Sequence, residues 1–243
     1  MKHSVIKEGD FLVCLGGGRF GTKVARLGKE CKARTMVIDI NADCAAREIV
    51  DVVLTGQGII EVGQVSLIVG DAIEILFSIL KEEVPQWIAP AASGHSLGRL
   101  VKHWLTAQGF KVASGGGLLG EVLAGLPRRL VLSADEKSGV LKVSYMVEGM
   151  RCQAGCVQPG ICPVTKRKKP APMYKLLEFS ASEAVDCYKI FLSRQFDGAG
   201  GVPGAEVEKA LKYLAGLTPP YSLAIGTSCH CHGILNLFKV EVD

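Results

Sequence analysis

Two sets of residues in this chain have the types and spacing to do chemistry: a glycine loop near its start and two bunches of cysteines in its second half. Gly16-Gly17-Gly18-Arg19-Phe20-Gly21 fits the pattern G-x-G-x-x-G. It lies between a short apolar run, Phe11 to Leu15, and a helix-period stretch, Arg19 to Cys31. In that setting Gly16 permits a tight turn, Gly18 lets the backbone approach a pyrophosphate, and Gly21 lets helix and strand pack closely. The helix start, at Arg19 and Phe20, offers free N–H groups and a partial positive charge to phosphates. Asp39 stands 21 residues beyond Gly18, at the end of the next apolar run. A carboxylate there binds a ribose 2′-hydroxyl and repels a 2′-phosphate, so the expected cofactor is NAD rather than NADP. FAD and S-adenosylmethionine use related loops and stay open, as does a glycine turn that binds nothing.

The chain holds nine cysteines. Cys14, Cys31, Cys44 and Cys187 are scattered in apolar surroundings and read as small buried hydrophobes. Cys152, Cys156 and Cys162 fall within eleven residues of a Gly- and Pro-rich segment, Arg151 to Pro172, and Cys229 and Cys231 form a second pair. An extended chain points residues i and i+2 the same way, so Cys229 and Cys231 are expected to face one centre, with His230 and His232 turned away from it. Three readings compete: an iron–sulfur cluster, zinc, or free thiols. Pro163 after Cys162 resembles the Cys-Pro ending of ferredoxin loops and favours the cluster. Cys152, Cys156 and Cys162 are the expected ligands, with Cys229 or Cys231 as the fourth. NADH gives up two electrons at once and a simple cluster accepts one, so the two centres are not expected to exchange electrons directly. The cysteine centre is then structural, redox-sensing or a Lewis acid.

His95, just past a strand-like run, is a candidate acid or base at the sheet edge where ligands bind; a capping or surface role is the plainer reading. Lys166-Arg167-Lys168-Lys169 reads as a solvated face, with a phosphorylated or carboxylated ligand as the alternative, or nucleic acid, which the absence of interleaved aromatics disfavours.

These residues need a frame to hold them. Apolar runs alternate with helix-period stretches through Ala113, which predicts a Rossmann-like doubly wound parallel sheet. Asn41 is placed to cap a helix over Ala42 to Val50. Past Gly115 come a hairpin, the cysteine segment, a glycine-rich loop from Asp197 to Gly204, an amphipathic helix and two terminal strands. The expected domains are therefore residues 1–114, binding the dinucleotide, and 115–243, a smaller α+β domain with the cysteine centre. A chain 48% hydrophobic and 21% charged is not disordered. Its greasiest segment carries Asp71 and Glu74, so no membrane insertion is expected. A net charge of +4 does not point to nucleic acid. No export signal is read at the N-terminus, so a cytoplasmic protein with reduced thiols is expected.

Cys14 to Gly21, then Val37-Ile38-Asp39-Ile40-Asn41, then Val69-Gly70-Asp71-Ala72, resemble the NAD-binding TrkA-N or RCK domain of potassium-transport regulators. The resemblance covers roughly the first 110 residues. It implies NAD as ligand and carries to Asp71 a place at the adenine end. Two functions are in view. One is an NAD-binding oxidoreductase with a cysteine-ligated centre and a small-molecule substrate. The other is a non-catalytic, homo-oligomeric sensor of nucleotide and redox state that regulates a protein partner.

Overall fold

The computed structural model describes residues 5–242 apart from 57, 59, 148, 151, 154, 197 and 198. The first residues of the cysteine segment (Arg151) and of the glycine-rich loop (Asp197) thus lie outside the described residues. In chain order the elements are β1 (Phe11–Leu15), α1 (Arg19–Glu30), β2 (Arg34–Asp39), β3 (Val52–Leu54), β4 (Val65–Val69), α2 (Ala72–Glu82), β5 (Trp87–Pro90) and α3 (Ser96–Ala107). They continue as β6 (Phe110–Ser114), α4 (Leu119–Ala124), β7 (Val131–Asp135), β8 (Val140–Ser144), α5 (Met173–Ser182) and β9 (Cys187–Leu192). The last are β10 (Arg194–Phe196), β11 (Ala199–Pro203), α6 (Gly204–Ala215), β12 (Tyr221–Ser228) and β13 (His232–Val242). Among the described residues no helix is long and apolar enough to cross a membrane.

The chain forms two units, Met1–His103 with Arg194–Lys209, and Trp104–Ser193 with Ala210–Asp243. This division differs from the expected break after residue 114, and hydrogen bonding explains why. β6 pairs antiparallel with β13, which draws it into the second unit. β11 pairs antiparallel with β5, which draws it into the first. The run expected as a glycine-rich loop is therefore partly a strand.

The first unit is an α/β fold. Its sheet has the order β10-β11-β5-β1-β2-β4-β3. From β5 to β3 every pairing is parallel. Parallel strands covered on both faces must be apolar throughout, and β1 is buried at all five positions. The chain runs outward from β1 through β2 to β3 at the edge, steps back to β4 between them, then crosses to β5 on the other side of β1. The order thus reverses between β1 and β5, and open α/β sheets bind ligands at the carboxyl ends of the strands flanking such a point. The expected helix at Ala42 to Val50 is only a 3-10 turn, Ala45–Glu48. Asn41 spends its side-chain oxygen on the Asp43 N–H, two residues on, which makes a local turn instead of a helix cap.

The second unit is an α+β fold around a mixed sheet, β7-β8-β13-β12-β9, with β6 against the far end of β13. Leu141, Ala224, Leu235 and Leu237 of the sheet meet Val122 of α4 and Met173 and Leu177 of α5 in one core.

Candidate functional site

In the first unit the glycine loop turns directly from β1 into α1. Gly16 has φ +104°, and a Cβ there would come within 2.8 Å of the Ala92 backbone nitrogen. The loops after β1 and β5 therefore touch at the reversal point. Around Gly18 the space is open, with nothing within 4 Å of a built Cβ, whereas a Cβ on Gly21 would overlap the Gly16 carbonyl oxygen. Gly18 caps α1 without a side-chain hydrogen bond, and the first turn has no acidic residue. The first N–H groups of a helix have no intrahelical partners, and Gly18 has no side chain to take them.

Asp39 closes the site from the end of β2. Its Oδ2 accepts the Gly17 N–H at 2.6 Å and its Oδ1 accepts the Asn41 N–H at 2.9 Å. The carboxylate is thereby fixed against the loop. Beside it stand two apolar side chains that sequence reading missed. Ile40 is 79% exposed and Val69, the register partner of Asp39 on β4, is 42% exposed. Exposed aliphatics at strand ends suit the flat face of a base. For Ile40 the signal was its place directly after Asp39; for Val69 it was its place at the end of an apolar run before Gly70.

Asp71 has a different task. Its Oδ1 accepts the Ile73 and Glu74 N–H groups at 2.8 and 3.1 Å, which caps α2, and its Oδ2 pairs with Arg99 at 3.1 Å. Burial works against its charge, but the two N–H groups and Arg99 hold the carboxyl below its usual range. His95 lies before α3 and is 5% exposed, closed off from solvent. Cys14 is also closed off: burial first, then the Asp39 and Cys44 charges, push its thiol up to about 12.

In the second unit the two cysteine bunches come together. Cys229, His230 and Cys231 form the turn between β12 and β13, closed by the Cys229 N–H on the His232 carbonyl at 2.9 Å. The cysteine segment hooks onto this turn. Gln158 Oε1 accepts the His230 N–H at 2.9 Å, and Lys169 Nζ donates to Cys231 Sγ at 3.1 Å. Because the chain turns here, the alternation expected of an extended strand fails. His232 is not turned away: its Nε2 lies 3.5 Å from Cys152 Sγ and its Nδ1 lies 3.6 Å from Cys229 Sγ. Lys169 is likewise no solvated lysine, being buried against Cys231.

The thiols differ in environment. The Cys231 side chain and its backbone N–H, which reaches Cys229 Sγ at 3.4 Å, pull the Cys229 thiol down against the cost of burial. The neighbouring Cys229 side chain, then burial, push the Cys231 thiol up despite Lys169. Cys162 is lowered by Thr165, whose backbone N–H reaches its sulfur at 3.4 Å. Cys156 takes the Gln158 N–H at 3.4 Å. Burial lowers His232 more than the nearby thiols raise it. Among the described residues no three His, Cys, Asp or Glu side chains stand as a ready-made metal-binding group. A separate cavity of about 230 Å³ is lined in part by Arg129, Tyr145, Arg167 and Lys168, so two of the basic run face a concave surface.

A family model, AF_1314_C, described as "Uncharacterized protein, C-terminal domain", matches residues 101–241. A protein of Archaeoglobus fulgidus, named "Uncharacterized protein", is 32% identical over 228 residues, covering 93% of this chain and 98% of that protein. Among solved structures, the ADP complex of purK, an N5-carboxyaminoimidazole ribonucleotide synthetase, aligns over 96% of this chain at 13% identity, with a TM-score of 0.27. The chain spans 48% of that structure, and a likeness this distant carries no argument.

Proposed function

The chain belongs to the AF_1314_C family, and we propose that its first unit binds NAD(H). One observation carries this reading. The carboxylate of Asp39 is fixed against the Gly17 N–H at the mouth of a loop whose helix has no capping side chain. A helix start without a cap suits a pyrophosphate, and an acidic group at the end of β2 suits a ribose diol. The space over Gly18 and the exposed Ile40 and Val69 fit the same ligand. Gly16, Gly18, Arg19, Phe20 and Gly21 would face the phosphates through the backbone, and Asp39 the adenosine ribose. When bound, NAD(H) would supply hydride transfer, and in the first of two readings the chain uses it as an oxidoreductase. Asp71 drops out of the proposed contacts, since Arg99 and the start of α2 occupy its oxygens.

A second reading is favoured by the burial of His95. With that ring 5% exposed, the acid–base candidate at the sheet edge does not face solvent. A sensor that binds nucleotide without turning it over needs no such group. Calorimetric titration with NADH and NADPH tests the shared claim. NADH should bind at least about tenfold more tightly, a difference of about 1.4 kcal/mol. Asp39→Ala should narrow that gap. Equal affinities in the unaltered chain would overturn the assignment.

A further inference from the structure

We infer that the cavity of about 230 Å³ in the second unit binds a small phosphate monoester whose organic part is apolar. Three cations line it: Arg129, Arg167 and Lys168. Among the described residues that line it there is no Asp or Glu, and none of the three cations is ion-paired to another described residue. Like charges gathered in one concavity repel each other, and its walls focus their field on an anion.

The backbone places these cations. Arg129 sits in a 3-10 turn, Arg128–Leu130, closed by the Leu130 N–H on the Pro127 carbonyl at 2.9 Å, and Leu130 is buried. Arg167 and Lys168 lie on the returning arm of a tight hairpin. There the Cys162 N–H donates to the Arg167 carbonyl at 2.9 Å, the Lys169 N–H donates to the Gly160 carbonyl at 2.8 Å, and Lys168 bridges to Ile161. The Tyr145 hydroxyl, on the cavity wall, donates to the Ala171 carbonyl at 2.7 Å and so ties the chain after this hairpin to the end of β8.

The lining selects the ligand. A guanidinium offers parallel N–H groups to phosphate oxygens, and a cluster of three positive charges suits a dianion better than a single carboxylate. A phosphate monoester has a charge of about −1.5 to −2 at pH 7. The other walls are apolar, among them Leu130, Val131, Leu132 and Met146. The pairing of β7 with β8 shifts register between Val131 and Ser133, and the inserted residue, Leu132, is 53% exposed at the cavity. A sugar would leave its hydroxyls without partners on such walls. The volume falls below the ~300–1,000 Å³ of pockets for drug-sized ligands, so the ligand is short. The site absorbs two residues of the basic run that the nucleotide reading leaves unused, and it is independent of that reading.

The test is calorimetric titration of the full chain with phenyl phosphate, compared with phenyl sulfate, inorganic phosphate and a single-stranded oligonucleotide. Phenyl phosphate should bind about tenfold or more tightly than phenyl sulfate, which has the same shape and less charge. It should also bind more tightly than inorganic phosphate, which lacks the apolar body. Arg129→Gln and Arg167→Gln should each weaken binding about tenfold through the loss of charge-assisted hydrogen bonds. Lys142→Gln, outside the lining, should not. Both arginines are exposed, so melting temperatures should hold. Affinity should fall below pH ~6, where the monoester takes up its second proton. The inference is overturned by no binding of phenyl phosphate at millimolar concentration, or by equal affinity for phenyl phosphate and either phenyl sulfate or inorganic phosphate. Unchanged affinity in both folded arginine variants, or an oligonucleotide that binds more tightly and displaces phenyl phosphate, would also overturn it.

Discussion

Gly18 and Gly21 are the same residue type three positions apart, and the structure gives them opposite constraints. Gly18 has open space where a side chain would be, whereas Gly21 has a backbone carbonyl there. Gly21→Ala should therefore cost stability even without ligand, about 1–3 kcal/mol for a clash with atoms that cannot rotate away. Thermal denaturation checks this, and an unchanged midpoint would mean that loop and helix are not this close. The turn at Gly16, the close packing at Gly21 and the position of Asp39 were legible because the motif sets a backbone shape. His232 and Lys169 were not. Their approach to the cysteines depends on a turn at Cys229 to Cys231 and on contacts to residues 62 or more positions away.

Helices α1 and α2 follow the carboxyl ends of β1 and β4, yet they start differently. Asp71 caps α2 on two N–H groups, while α1 begins without a side-chain cap. The Gly-Asp-Ala element is thus explained by helix capping rather than by the nucleotide contact that the resemblance implies. Asp71→Ala should lower stability by about 1 kcal/mol, and Asp71→Asn, which can still accept the N–H groups, by less. Neither should change NADH affinity. The charge effect has a definite sign. The carboxyl titrates lower in the folded chain than in the unfolded one, so its contribution is complete above the ordinary carboxylate range. It is lost as pH falls through the lower, folded value. Acid titration of the unaltered chain and Asp71→Ala should show their stabilities converging there; a constant difference at all pH values would contradict the assignment. Strands and helices of the first unit were readable from apolar periodicity to within a residue or two at most ends. The helix expected after Asn41 failed because the Asx turn and the 3-10 turn at Ala45 spend the same backbone groups locally.

The fold class of each unit followed from the alternation of elements, but the division of the chain did not. Each unit borrows a segment from across the expected boundary, and only strand pairing reveals the exchange. Phe196 shows how firmly the first unit holds its borrowed piece: the ring packs edge-on against Trp87 at 5.0 Å. The glycine loop at the reversal point of one sheet and the cysteine group at the end of another thus belong to different sheets. The claim that most needs testing is the nucleotide. Calorimetric titration of NADH into the unaltered chain and into Gly18→Val tests it directly. The added side chain enters open space, so the fold and melting temperature should hold. It also fills the space that a pyrophosphate needs, so binding seen in the unaltered chain should vanish. Undiminished NADH affinity in a folded Gly18→Val variant, or no NADH binding by the unaltered chain, would contradict the account.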